Sequence, residues 1–378
     1  MHILIAPDSF KENLTAYQVC NSIEKGINKV FPKANIEKIP MSDGGEGAIR
    51  LFEINKLGKI IHCPSLDPIL RPIDSSYMIF NDNLTAWIEL SKASGLDLLQ
   101  NSEKNPLITS TYGTGLLIKD AINRGCNKII LGIGGSATND GGSGILSALG
   151  FKLKNKNNVI LPHGGGGLKA LNKIEIPKKN NYKNISFKIA CDVNNVLLGT
   201  NGATAIFSEQ KGASEKDKIL LEKNMETYAS VIEKTFSKNI KKIIGGGAAG
   251  GTAAGMVGAL NAKITNGFSI ISEIINLEKK IKKTDLIITG EGKLDFQSLE
   301  GKVPLGIAQF GKKYNIPVIC IAGSIESPLK NFYKLGFYGI FSIQDKPMSV
   351  SNSFKKSKYL IENCVIRILS FYKKILKI

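Results

Sequence analysis

The sequence predicts an α/β protein in which one parallel-sheet domain is interrupted by a second, inserted α/β domain, with the active site in the interdomain cleft. Three observations carry this expectation. At both ends of the chain, short apolar runs are each followed by a polar loop and then a helical pattern. After Gly58 the pattern changes to short strands separated by turn residues. The segment between the two ends is too long to be a loop. The expected boundaries are 1–58 plus 284–378 for the outer domain and 59–283 for the insertion. A length of 378 residues fits two domains.

The elements follow in order. His2–Ala6 reads as a strand buried on both faces, and Pro7-Asp8-Ser9-Phe10-Lys11 leaves its carboxyl end. Thr15 and Gln18 form a capping box. Ala16, Val19, Cys20, Ile23, Ile27 and Val30 then recur at helical spacing until Pro32. A strand over Ile36–Met41 delivers Ser42-Asp43-Gly44-Gly45-Glu46-Gly47, and the next helix turns Ile49 and Phe52 inward. Lys59–Cys63, Ser76–Phe80 and Leu84–Leu90 read as antiparallel-like strands, with Trp87 in the core. Asn105–Thr114 leads into a helix over Gly115–Asn123. Lys128–Leu131 is a buried strand, followed by a glycine loop from Gly132 and a helix over Gly144–Leu149 that Gly150 stops.

Further on, Phe187–Cys191 is a strand running into Asp192-Val193-Asn194-Asn195. A helix over Asp217–Phe236 precedes a second glycine loop, Gly245–Gly251. From Asp285 the opening pattern returns. Leu286–Thr289 is a strand, Gly290–Asp295 a polar loop, and Pro304 stands early in a helix, where it is tolerated. Pro317–Ala322 and Gly339–Ile343 are strands flanking a helix near Leu329–Leu335. The last helix, from Ser353, is expected to bury Phe354, Ile361, Val365, Ile368 and Tyr372. The outer domain then has five parallel strands in the order 2-1-3-4-5, with ligands expected at their carboxyl ends.

Composition narrows the function. The 39 glycines exceed ordinary usage and gather in loops. The six cysteines show no CxxC spacing and sit in apolar runs, as expected of reduced core thiols in the cytoplasm. His2, His62 and His163 form no metal-ligand pattern. Met1–Ala6 has no signal-peptide character, and Ile243–Ala262 is too weakly apolar to span a bilayer. The net charge of +18 lies largely in lysine- and asparagine-rich segments such as Lys152–Asn158, Lys178–Asn184 and Lys279–Lys283. They lack interleaved aromatics and a nucleic-acid motif. They read as solvated surface, with small anionic substrates as the partners of that charge and with no nucleic acid or membrane.

The loop Gly132–Gly150, GIGGSATNDGGSGILSALG, carries almost no side-chain bulk. Its backbone N–H groups can converge on an anion at a helix start, with Ser136, Thr138 and Asn139 as further donors and Asp140 as a metal or hydroxyl ligand. Thr111 and Thr114 offer a comparable site, or ordinary capping. Gly132–Ala137 and Gly245–Gly250 fit GxGxxG/A formally, but neither has an acidic residue about twenty positions on to hold a ribose. No GxxxxGK[ST] occurs, since Leu294 follows Gly292-Lys293 and Val303 follows Gly301-Lys302.

Several motifs together resemble the bacterial-type glycerate kinases: APDSFK at Ala6–Lys11, SDGGEG at Ser42–Gly47, TYGTG at Thr111–Gly115 and IGGSATNDGGSG at Ile133–Gly144. ACDVNN at Ala190–Asn195, QKGA at Gln210–Ala213, GGGAAGG at Gly245–Gly251 and TGEGKLDFQSLEGKVP at Thr289–Pro304 continue the likeness in the family's order. The resemblance covers nearly the whole chain. It departs at Glu12-Asn13, Asn194, Val196 and Lys293. It implies a flavodoxin-like outer domain and ATP-dependent phosphorylation of D-glycerate with Mg2+, giving 2-phosphoglycerate and ADP. The alternatives are 3-phosphoglycerate as product, a nicotinamide-dependent hydroxy-acid oxidoreductase, and a basic nucleic-acid-binding protein.

Such chemistry requires cradled phosphates, offset charge and a carboxylate to orient or deprotonate a hydroxyl. The expected catalytic residues are Asp8, Lys11, Asp43 and Asp192. Gly134, Gly135, Ser136, Thr138, Asn139, Gly141, Gly142, Gly246, Gly247 and Gly250 are expected to bind the nucleotide. Ser9, Thr111, Lys211, Glu291, Asp295 and Lys302 are expected around the substrate, with Lys11 or Lys302 holding its carboxylate. The metal ligands are left open.

Overall fold

A computed structural model describes residues 1–11, 13–42, 44–45, 47–178, 181–295, 302–326 and 329–375. In chain order its first elements are β1 (His2–Ile5), α1 (Ala16–Val30), β2 (Asn35–Lys38), α2 (Ala48–Ile54), β3 (Gly58–Leu66), β4 (Pro72–Phe80), β5 (Thr85–Glu89), α3 (Ser91–Ser94) and α4 (Tyr112–Asn123). Then come β6 (Lys128–Gly132), α5 (Ser143–Ala148), β7 (Lys152–Lys154), β8 (Lys173–Glu175), β9 (Ser186–Ala190), α6 (Ala203–Phe207), α7 (Glu215–Phe236), α8 (Thr252–Leu260) and β10 (Lys263–Thr265). The chain closes with α9 (Gly267–Ile274), α10 (Leu277–Ile281), β11 (Leu286–Leu294), α11 (Val303–Tyr314), β12 (Val318–Ile325), α12 (Leu329–Lys334), β13 (Phe337–Ser342) and α13 (Val350–Ile375).

The chain divides into two units, Met1–Asp43 with Phe268–Ile378, and Gly44–Gly267. The first holds a five-stranded sheet in the order β13-β12-β11-β1-β2, parallel throughout. Numbered within the unit this is 2-1-3-4-5, the expected order. Ile3, Leu4 and Ile5 are fully buried because helices cover both faces of such a sheet. Thr15 and Gln18 form the expected capping box at the start of α1. Gly26 lets α1 approach α13 closely, since a Cβ there would lie 2.8 Å from the Glu362 carbonyl.

The second unit holds a six-stranded sheet in the order β10-β9-β6-β5-β4-β3. Its β3-β4-β5 part is antiparallel, as the turn-rich sequence predicts, and β5-β6-β9-β10 is parallel. Trp87 is fully buried, with Phe52 edge-on to it at 5.0 Å.

The divisions between the units fall at 43/44 and 267/268, not at 58/59 and 283/284. Packing accounts for both shifts. Helix α2 belongs to the second unit through Phe52, which meets Phe80 and Trp87. In the first unit, Phe268 packs against Phe310 of α11, and Lys280 of α10 pairs with Glu37 of β2 at 2.6 Å.

All six cysteines are free and buried, as expected. No described helix is long and apolar enough to cross a membrane.

Candidate active site

In the first unit, the segment leaving β1 keeps the parallel spacing of β11. Ala6 donates its N–H to the Ile288 carbonyl at 2.9 Å, and Asp8 donates to Gly290 at 2.8 Å. This sets Asp8 beside Glu291 at the carboxyl edge of the sheet. The Asp8 side chain is buried and accepts the Ser9 N–H at 2.6 Å. Glu291 is also buried.

β11 does not end at Thr289 as expected. It continues to Leu294, pairing Glu291 with Ala322 and Lys293 with Ser324 of β12. Glycines permit this approach: a Cβ on Gly290 would lie 2.3 Å from the Ile321 carbonyl, and one on Gly323 2.5 Å from the Gly292 carbonyl. Glu291 is thus held on a strand, a more rigid mount than a loop.

Around these residues lies a cavity of about 600 Å³. It brings together six of the expected residues, Asp8, Ser9, Lys11, Glu291, Asp295 and Lys302. Asp43 lies outside the described residues. Lys293 also lines the cavity, 2.9 Å from Glu326 and 4.0 Å from Asp295.

The far wall comes from the turn after β13 and the first turns of α13. Gln344 donates to Ser353 Oγ at 2.6 Å. Phe354, expected in the core, is 40% exposed and lines the cavity, because α13 starts at Val350 and turns this face toward it. Sequence reasoning missed Gln344 and Ser353. Their signal was only that a polar residue follows a strand and another stands in a helix's first turns.

In the second unit, the glycine loops are largely buried and approach neighbouring segments closely. Gly134 and Gly135 remain accessible and Ser136 slightly so, whereas Thr138, Asn139, Gly141 and Gly142 are buried. Gly246, Gly247 and Gly250 are buried as well. Gly141 donates its N–H to the Gly250 carbonyl at 3.0 Å. A Cβ on Gly250 would stand 2.1 Å from the Thr138 carbonyl, and one on Gly255 1.9 Å from the Gly141 carbonyl. Close packing thus accounts for Gly250 against Thr138, for Gly247 against the Val196 carbonyl at 2.3 Å and for Gly141 against the Tyr228 ring at 2.6 Å, and the accessible rim is Gly134–Gly135.

Thr111 takes the capping alternative, and Asp140 is drawn into the same arrangement. Asp140 Oδ2 accepts the N–H and the hydroxyl of Thr111, both at 2.9 Å, and the Gly144 N–H at 3.2 Å, while Oδ1 accepts the Gly142 N–H at 3.0 Å. Thr111 Oγ1 in turn accepts the Ile145 N–H at 3.1 Å. Both side chains are fully buried, and their polar atoms are spent on the start of α5 rather than offered to a ligand.

Lys211, expected near substrate, is 1% exposed, and its Nζ donates to the Thr138 carbonyl at 2.7 Å. Burial pulls its pKa down to about 7, while the charge of Asp140 acts in the opposite direction. Asp192 Oδ1 accepts from Asn266 Nδ2 at 2.5 Å and from the Gly267 N–H at 2.8 Å, which ties it to the start of α9. A buried carboxylate that sequence reasoning missed, Glu89, ends β5 and accepts the Ile49 N–H at 2.9 Å. Its signal was an acid at the carboxyl end of a strand.

Among the described residues, no group of three His, Cys, Asp or Glu side chains is arranged to hold a metal. Mg2+ requires less, one or two carboxylates with phosphate and water oxygens completing its shell. The hard oxygen donors of Asp8 and Glu291 fit that need.

A parallel-sheet unit with carboxylates and lysines at its strand ends is the ligand-binding arrangement of an α/β enzyme. The profile of the Glycerate kinase family matches residues 3–373, and the chain belongs to that family. It is 42% identical over 356 residues to the Glycerate 2-kinase of Escherichia coli (strain K12), covering 94% of this chain and 93% of that protein. It is 39% identical to the Glycerate kinase of Halalkalibacterium halodurans, over 98% of this chain and 99% of that one. The crystal structure described as glycerate kinase 2 from Salmonella typhimurium LT2 superposes with a TM-score of 0.83 at 36% identity, covering 100% of both chains. The protein is thereby an enzyme, a kinase of this family.

Proposed function

We propose that this enzyme phosphorylates D-glycerate with ATP, releasing 2-phosphoglycerate and ADP. The observation that carries the reading is the cavity of the first unit, where Asp8, Glu291 and Asp295 meet Lys11 and Lys302. A small hydroxy acid needs a cation for its carboxylate and a carboxylate for its hydroxyl, and this lining supplies both. The E. coli relative's name, Glycerate 2-kinase, supports the C2 position.

In this reading Lys302 clamps the substrate carboxylate. That clamp also orients the neighbouring C2 hydroxyl, while C3 keeps a free rotation. Orientation of that kind lowers a barrier by several kcal/mol, up to roughly 7–11 in the best cases. The C2 oxygen forms its bond to the γ-phosphorus as the bond to ADP breaks, and Asp8 accepts the hydroxyl proton. Lys11 offsets charge on the transferred group. Mg2+, held through Glu291, would neutralise phosphate charge. Gly134 and Gly135, the accessible part of the glycine loop, form the nucleotide-facing rim of the second unit in this reading.

The test couples the reaction to enolase without phosphoglycerate mutase. Immediate consumption of the product supports C2 phosphorylation. Consumption only after mutase is added means 3-phosphoglycerate and refutes it.

A further inference from the structure

Lys211 is a cation buried in the root of the glycine loop, and the reaction as derived does not use it. It lies in a short turn (Glu209–Lys211) and makes no ion pair among the described residues; its Nζ donates to one backbone carbonyl, that of Thr138, at 2.7 Å. A methionine would fill the same space without the cost of burying a charge.

The carbonyl it holds lies at a joint. Before Thr138 the loop is accessible, at Gly134 and Gly135; from Thr138 to Gly142 it is buried. Gly250 backs the same carbonyl so closely that no side chain fits there. Around this joint the Thr138 hydroxyl, the Asn139 Oδ1 and the Tyr228 hydroxyl are buried without a hydrogen-bond partner among the described residues.

We propose that Lys211 is a positioning residue that pins the loop root through the Thr138 carbonyl and couples nucleotide binding at the rim to the proton on its own ammonium. The inference rests on the reading that the Gly134–Gly135 rim faces the nucleotide. In a low-dielectric interior a charge acts over a longer range than in water. An anion at the rim stabilises the ammonium, and by linkage the protonated enzyme binds the anion more tightly.

The charged and titratable groups nearby have other partners or other ranges. Asp140 acts on Lys211 but is held by Thr111, Gly142 and Gly144. Burial pushes the Tyr228 phenol far above neutrality. Burial holds His163 below the usual histidine value, with Asp140 opposing. On the same turn Glu209 is exposed and pairs with Lys218 at 2.9 Å. A neutral Lys211 amine still donates a hydrogen bond, but it loses the charge that favours an anion.

The test is calorimetric binding of ADP to the full-length enzyme near neutral pH, in two buffers of different ionisation enthalpy. The wild type should take up protons on binding. Its affinity should fall by up to about tenfold per pH unit above neutrality. Lys211→Met should bind more weakly without the extra proton uptake. Lys211→Arg, charged at every accessible pH, should keep affinity and lose the pH dependence. Equal proton uptake and pH slope in all three overturn the inference and leave the kinase reading standing. A wild type that binds no ADP at any pH overturns both. Should the variants not fold, carbon NMR of lysine-labelled wild type decides. A lysine Cε resonance that titrates near neutral pH and shifts its midpoint upward with ADP supports the coupling. Absence of that resonance overturns it.

Discussion

The N–H of Asp8 donates to the carbonyl of Gly290 at 2.8 Å, which holds the Asp8 carboxylate next to Glu291 at the carboxyl edge of the first unit's sheet. The bond continues the β1–β11 ladder beyond the strand itself. A motif at the start of the chain and one near residue 290 are thereby joined by backbone geometry.

Lys11 stands in that cavity on an exposed loop. Lys11→Ala should lower kcat by about a hundredfold or more if the ammonium offsets charge on the phosphoryl group. Its melting temperature should stay within about a degree of wild type, because an exposed loop lysine carries no core packing. Steady-state kinetics beside a thermal melt checks both, and near-normal turnover would remove Lys11 from the site.

Asp140 provides a contrasting case. It is fully buried and accepts from three backbone N–H groups and one hydroxyl. Asp140→Ala leaves those donors unpaired and should cost about 3 kcal/mol or more in urea unfolding. An unchanged urea midpoint would contradict its role as the anchor of the loop.

The fold was legible because strand, polar loop and helix recur with unambiguous periods. The recurrence gives the parallel strands, and their order is the expected 2-1-3-4-5. The first cavity was legible for the same reason: Asp8 and Glu291 both stand at strand ends, where ligands gather. The glycine loops are harder to read because absence of side chains has two physical uses. It opens backbone to a ligand, or it lets two backbones touch, and only the second explains Gly250 against the Thr138 carbonyl. Asp140 and Thr111 read as ligand groups because a sequence does not show that each is the other's partner. The continuation of β11 through Glu291 was hidden because Gly290-Glu291-Gly292 has the composition of a turn.

Gly250→Ala tests the packing role. Its backbone has φ +62° and its added Cβ would meet the Thr138 carbonyl at 2.1 Å, whereas Gly47 has no heavy atom within 4 Å of an added Cβ. Gly250→Ala should lose roughly 2 kcal/mol or more. Gly47→Ala, at φ +87°, should lose about 1 kcal/mol from backbone strain alone. Equal losses at the two sites would mean that the Thr138 contact contributes nothing.

Lys211 makes stability depend on pH. Its folded pKa, about 7, lies below the value of 10.5 expected for the unfolded chain. Between these values the unfolded chain binds more protons, so stability rises as pH increases. The gain is complete above the unfolded value, shrinks as pH falls, and is fully lost below about 7. Lys211→Met should flatten that slope between pH 7 and about 10 in urea unfolding. An identical slope in variant and wild type would show that Lys211 does not titrate in this range.

Proton-coupled phosphorus NMR of the product formed from D-glycerate and ATP tests the proposed reaction most directly. A phosphate on C2 couples to one neighbouring proton and gives a doublet; a phosphate on C3 couples to two and gives a triplet. Transfer to the hydroxyl beside the clamped carboxylate predicts the doublet, appearing together with ADP. A triplet, or ADP formation without a new phosphomonoester, would contradict it.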